Sequence, residues 1–165
     1  MPVVASERID AAIAAKPDGV LEVMADTAGA SLLQVMERLP DKSVKLLPAE
    51  RFDAIWAVLQ AWGEVLFIVH TPDIVLECTG RLPEGSHGHG YFNIHGDSPI
   101  GGHIKVANCK AIALVDRPFH GRRSCSVQFL NQDGNAMFKV FVRRDKDRSL
   151  LPQQLLAFES LWLDV

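Results

Sequence analysis

The spacing of apolar residues changes once along the chain, near residue 63. Before that point they recur every three or four positions, as on one face of a helix. A first helix is predicted over about 6–16, ending at Pro17-Asp18-Gly19, and a second over about 20–28, stopped by Gly29. A third opens at Ser31 with Gln34 three residues on, a capping box in which each side chain satisfies an orphan donor of the other's backbone. Pro40 ends it. A fourth helix is expected from Pro48, because a missing N–H costs nothing in the first turn. Phe52, Ile55, Trp56, Leu59 and Trp62 form its apolar stripe, and Gly63 suits its C-terminal cap.

From residue 64 the period is two. Strands are predicted over about 64–70, 73–79, 91–95, 101–107, 110–116, 123–131 and 136–144, punctuated by Gly, Pro, Asn and Asp. Asp133-Gly134 between two such runs signals a hairpin. A last helix is expected from Ser149, with Leu151, Leu155, Phe158 and Trp162 on one face. Helices, then a strand meander, then a closing helix predict an α+β fold with a large antiparallel sheet. The 165 residues suffice for one core and are few for two, so a single domain is expected. Its helical part covers about 1–62, its sheet about 64–145 and its closing helix about 149–163.

Charge and composition narrow the function. Lys and Arg number 17 against 20 Asp and Glu, a net charge of −3, which disfavours nucleic acid and anionic membrane surfaces as partners. Residues 20–39 have the rhythm of a helix-turn-helix. Residues 1–40, however, carry three basic against six acidic side chains, the wrong sign for tracking phosphates, so a packed helical hairpin is expected instead. Hydrophobic residues make up 48%, which points to an oligomer interface, an apolar ligand slot or both. The longest strongly apolar run, Val65–Val69, is far shorter than the roughly 20 residues a membrane helix needs. Met1–Arg8 lacks the basic-then-apolar order of a signal peptide. Cys78, Cys109 and Cys125 stand far apart, as free thiols of a reducing compartment do. A cytoplasmic protein is expected.

Six histidines carry the candidate chemistry, five of them between 87 and 120. His70 ends its strand on the same face as Leu66 and Ile68, and His103 shares a face with Lys105. His87, His89 and His95 lie in or beside the glycine-rich stretch Gly85–Gly90, and His120 precedes the cationic turn Gly121-Arg122-Arg123. Three readings stand side by side. His87 and His89, with His95, offer imidazoles to zinc, copper or nickel. The second reading is plain loop and core histidines with no ligand. The third reading is a flat, amphiphilic, anionic ligand such as haem. Haem needs an axial His or Tyr in an apolar slot and cations for its propionates. His70, His103 and the sole tyrosine, Tyr91, are the candidate donors; Arg122, Arg123, Arg143, Arg144 and Lys105 are the candidate cations.

Larger patterns give a resemblance. His70-Thr-Pro-Asp-Ile-Val-Leu-Glu77, Gly90-Tyr-Phe-Asn93, Gly102-His-Ile-Lys105, and Phe129-Leu-Asn-Gln-Asp-Gly134 followed by Ala136-Met-Phe-Lys-Val-Phe141 occur in that order. With Pro17–Glu22, Leu39-Pro40, Phe52-Asp53, Trp56 and Trp62-Gly63, the chain over about 15–160 resembles the ChuX/HutX type of intracellular haem-utilisation carriers, related to the HemS/ChuS haem-handling proteins. The resemblance implies an α+β fold and a homodimer shaped like one subunit of the related two-repeat proteins. It implies a b-type haem, held non-covalently in the cytosol after uptake and passed to a haem-degrading enzyme. The family's two haem-binding histidines fall on His70 and His103, the expected ligands of the haem iron. Some members use a tyrosine, which makes Tyr91 the alternative.

No catalytic constellation accompanies these residues. The chain lacks Gly-x-Ser-x-Gly and a P-loop, and Gly85–Gly90 precedes no helix pattern. Cys109 and Cys125 lie in strand patterns, where cysteine usually acts as a small hydrophobe, and Asp145–Arg148 reads as a solvated turn. A carrier rather than an enzyme is the expectation, with haem degradation or a histidine-based metal-binding module as alternatives.

Overall fold

The computed structural model describes residues 3–164; Met1 and Pro2, part of the stretch read for a signal peptide, and Val165 lie outside the described residues. Three helices open the chain: α1 (Val3–Ala15), α2 (Leu21–Ala28) and α3 (Leu32–Met36). Gly29 ends α2 in the left-handed conformation, φ 64°, and donates its N–H back to Ala25 and Asp26. The capping box of α3 is formed: Gln34 N–H donates to Ser31 Oγ at 3.2 Å, and Ser31 N–H to Gln34 Oε1 at 2.9 Å.

The nine strands are β1 (Val44–Pro48), β2 (Glu64–His70), β3 (Val75–Arg81), β4 (Gly85–Gly88), β5 (Tyr91–Ile94), β6 (Gly102–Ile104), β7 (Cys109–Phe119), β8 (Arg122–Asn131) and β9 (Ala136–Phe141). A six-stranded antiparallel sheet runs β1-β7-β8-β9-β2-β3, and β4-β5-β6 form a small second sheet. Between β1 and β2 a short 3-10 turn leads into α4 (Phe52–Gln60), and α5 (Pro152–Asp164) closes the chain. Among the described residues no helix is long and apolar enough to cross a membrane.

Four elements differ from the sequence expectation. The strand expected over 101–107 is only Gly102–Ile104 and gives way to a 3-10 turn at Val106–Asn108. Residues 44–48 are an edge strand rather than part of a helical stretch, paired from Val44↔Val115 to Pro48↔Ala111. Pro48 is tolerated there because an edge strand can spare an N–H. The glycine-rich stretch at 85–88 pairs with β5 instead of forming a loop. The closing helix begins at Pro152 rather than Ser149. A bridge between Arg144 and Leu150 and the turn capped by Asp145 Oδ1, which accepts from Asp147 and Ser149 N–H at 2.8 and 3.1 Å, hold the intervening residues out of the helix.

The large sheet is covered unequally. One face carries α4, α5 and the small sheet over an aromatic core that includes Phe52, Trp56, Phe92, Phe129, Phe138 and Phe158. On the other face Ile9, Leu21, Met24, Leu32 and Val35 of the three N-terminal helices pack against Ala113, Val115 and Leu130. That layer lies over the β7 side of the sheet. The part of this face built by β9, β2 and β3 lines an open cavity.

Gly85 is glycine for a packing reason: a Cβ there would lie 2.0 Å from the ring of the buried Phe92. Gly85→Ala is therefore expected to destabilise the fold by about 1–3 kcal/mol through overpacking, lowering Tm by roughly 2–10 °C. Adding Phe92→Leu should restore part of the loss. Thermal unfolding followed by circular dichroism checks both.

Candidate functional site

The cavity floor follows from strand register. Alternation turns Leu66, Ile68 and His70 of β2 to one face and Phe67 and Val69 to the other, where Phe67 stacks on Phe138 at 5.1 Å. Cross-strand pairing extends the floor in rows: Thr79, Leu66, Phe141 and Ser126 form one; Glu77, Ile68, Lys139 and Gln128 the next; Val75 pairs with His70 in the third. The start of α2, Val20 to Glu22, makes one wall, and Arg117, Arg143 and Arg144 also line the space. Its volume is about 510 Å³, within the range of roughly 300–1,000 Å³ usual for small-molecule sites.

Its polar groups form a connected set. Lys139, 6% exposed, projects from β9 and donates to Glu22 Oε1. The same oxygen lies 3.5 Å from His70 Nδ1. Arg117 is buried and donates to the Pro17 carbonyl at 2.8 Å. Burial draws its pKa below the usual arginine value, with Asp18 and Glu22 opposing the shift. Gln128 Nε2 donates to Ser126 Oγ at 3.1 Å, while its Oε1 is buried with no partner among the described residues.

A second cluster stands on the small sheet. His103 Nδ1 is 2.6 Å from Asn93 Oδ1, its ring lies 5.8 Å from Tyr91 and 5.4 Å from His95, and Lys105 Nζ stands 5.8 Å from the Tyr91 ring centre. His103 and Lys105 flank a recess of about 290 Å³ whose apolar lining includes Phe67, Val69 and Met137. Phe67 and Val69 are on the side of β2 opposite His70. Within one chain, His70 and His103 therefore open onto opposite faces of the large sheet.

The remaining candidates are scattered. His87 Nε2 meets both Asp53 oxygens, at 2.9 and 2.8 Å. His89 and His120 occupy left-handed turn positions, φ 55° and 49°. Among the described residues, no group of three or more His, Cys, Asp or Glu side chains is placed to hold a metal ion. Arg123 turns to the face away from the cavity, where Asp116 (3.0 and 2.8 Å) and Glu159 (3.1 Å) accept its hydrogen bonds. Arg122 is exposed at the start of β8. Arg143 pairs with Glu64 at 3.3 Å, and Arg144 donates to the carbonyls of Arg123 and Arg148.

Sequence reasoning did not single out Glu22, Arg117, Gln128 or Lys139. The available signal was a charged or amide residue inside an otherwise apolar strand, as Lys139 is between Phe138 and Val140.

The sequence profile of the haem utilisation ChuX/HutX family matches residues 45–161. The chain belongs to this family. The family match covers all the strands of the cavity floor. Among curated relatives is the intracellular heme transport protein HutX of Vibrio cholerae, 30% identical over 139 residues, or 84% of this chain and 72% of that one. A crystal structure of a protein from Agrobacterium tumefaciens is 55% identical and covers 95% of this chain and 89% of its own, with a TM-score of 0.87. The structure of the heme binding protein ChuX is 41% identical over 97% of both chains, with a TM-score of 0.85.

The cysteines of this ChuX/HutX protein sit in poor surroundings for nucleophiles. Cys125 is fully buried, and burial pushes its thiol up to about 12; burial raises Cys109 as well. The thiolate is the reactive form, and at pH 8 a thiol with that pKa is ionised in about one molecule in ten thousand. Cys78 is half-buried. At pH 8 a thiol reagent should label Cys78 in the native protein, and Cys109 and Cys125 only after unfolding. Mass spectrometry of the labelled peptides checks this.

Proposed function

We propose that this protein binds haem in the sheet-face cavity, with His70 as the iron's axial donor, and carries it non-covalently in the cytosol. The observation that carries the reading is His70 itself: it is the one histidine among the described lining residues, set on a floor with Leu66 and Ile68. The rest of the lining fits a flat dianionic macrocycle. Phe141 and Val115 extend the apolar surface, and Arg117, Arg143 and Arg144 offer guanidinium groups to propionates. The chain has no Cys-x-x-Cys-His for covalent attachment of a b-type haem's vinyl groups.

His103, Tyr91 and Lys105 form a separate cluster on the other side of β2 and take no part in holding haem at His70. Arg122 and Arg123 are further propionate partners only where they leave their present surroundings, and for Arg123 that means giving up two carboxylates. The names of HutX and ChuX, for transport and binding, favour carriage over degradation. The recipient in this reading is a haem-degrading enzyme. The protein works as a homodimer. Supporting this, Ile74, Val75 and Leu76 are each more than half exposed at β3, the outer strand of the large sheet. Light scattering should then return about twice 18.2 kDa; a single-chain mass removes the dimer.

Titration with hemin tests the site. The absorption spectrum should shift saturably to a ligated form, and His70→Ala should abolish that form. Arg117→Gln should weaken binding by about 10- to 100-fold, as for a lost charge-assisted hydrogen bond. With an electron donor and oxygen the main haem band should persist and move to an acceptor protein on mixing; its decay to a bile pigment would instead identify an enzyme.

A further inference from the structure

We infer that Glu22 is the positioning residue for His70, and that Lys139 sets how strongly it acts. The inference rests on the reading of His70 as the haem donor. Glu22 stands in the first turn of α2, which overhangs the floor, and its Oε1 is shared. That oxygen lies 3.5 Å from His70 Nδ1 and accepts from Lys139 Nζ. The two partners come from different strands. Lys139 pairs in register with Ile68, two residues before His70 on the same face of β2.

An imidazole has two ring nitrogens, and the one that does not carry the proton is free to bind a metal. A carboxylate beside Nδ1 holds the proton there and leaves Nε2 as the donor. It also draws on that proton and enriches the ring's electron density, which strengthens the bond to ferric iron. Lys139 works against this. Its ammonium is buried and spends the charge of the same oxygen. The donor strength of His70 is thus decided by two N–H donors' claims on one carboxylate oxygen. Such moderation suits a protein that must hold its cargo and then yield it.

The two claims predict opposite responses to substitution, which a merely structural role would not produce. In the ¹⁵N-labelled apo protein, long-range NMR at a pH where the ring is neutral should find His70 in the Nδ1–H tautomer. That preference should weaken in Glu22→Gln. In the haem-loaded protein, Glu22→Gln should lower the ferrous iron–histidine stretching frequency, raise the midpoint potential and weaken haem binding by about 10- to 100-fold. Lys139→Met should shift frequency and potential the other way and slow haem release. The double variant Glu22→Gln/Lys139→Met should resemble Glu22→Gln. It leaves no unpaired ammonium, so it serves if Glu22→Gln alone fails to fold. An unchanged tautomer, frequency and potential in the glutamine variants, with the ligated spectrum still lost in His70→Ala, would overturn the inference and leave the haem reading standing. A ligated spectrum that survives His70→Ala would overturn the haem reading, and the apo tautomer would still decide whether Glu22 orients the ring.

Discussion

A lysine in the middle of a buried strand must meet an anion. Lys139 lies between the buried Phe138 and Val140, and its ammonium reaches Glu22 on α2. Leaving such a charge unpaired would cost several kcal/mol. The pairing pins the start of α2 above β9. Because α2 packs with α1 and α3 as one layer on the β7 side, the pin also marks where that layer stops. Beyond it the floor of β2 and β3 is uncovered, and the cavity is what remains. The pair is a poor choice if stability is the only aim, since apolar residues of similar volume often hold a fold equally well or better by about 1–4 kcal/mol. What an apolar pair could not do is place a carboxylate beside His70.

The opposite face supplies the stiffness this arrangement needs. Phe138, the neighbour of Lys139, is stacked between Phe67 and Phe129 at 5.1 and 4.3 Å. Phe52 and Trp56 meet the same ring edge-on at 6.4 and 6.0 Å, and Trp56 Nε1 donates to the Pro83 carbonyl at 2.9 Å. Phe67 is two residues before Val69 and three before His70 on β2, so the backbone that carries the imidazole is clamped from behind. A donor on such a strand keeps its direction better than one on a loop.

These relations explain which parts were legible in the sequence. The α4 stripe, the capping box at Ser31 and Gln34, the Gly29 stop and the Asp133-Gly134 hairpin all follow local rules, and each could be read within a few residues. β1 could not. Five residues show little periodicity, and Val44–Pro48 becomes a strand only by pairing with β7, more than sixty residues on. β4 looked like a loop because glycine favours turns, whereas Gly85 is there to admit the Phe92 ring. The site divides the same way. Period two put His70 with Leu66 and Ile68, but whether a lone Lys139 or Arg117 faces water or a cavity depends on the layer above it. That Arg123 meets Asp116 and Glu159 needs both the register of β7 with β8 and the docking of α5.

The shape of the cavity also bears on the difference between carrying haem and degrading it. His70 is the one histidine among the described residues that line it, and the lining holds no Tyr, Cys or Met. Nε2 of His70 would be the one histidine nitrogen of this lining offered to the iron. For a carrier of the kind proposed, the strength with which His70 holds its cargo would govern how readily that cargo is handed on. The carboxylate of Glu22 is divided between that imidazole and a buried ammonium, and the same ammonium is what holds α2 in place above the floor.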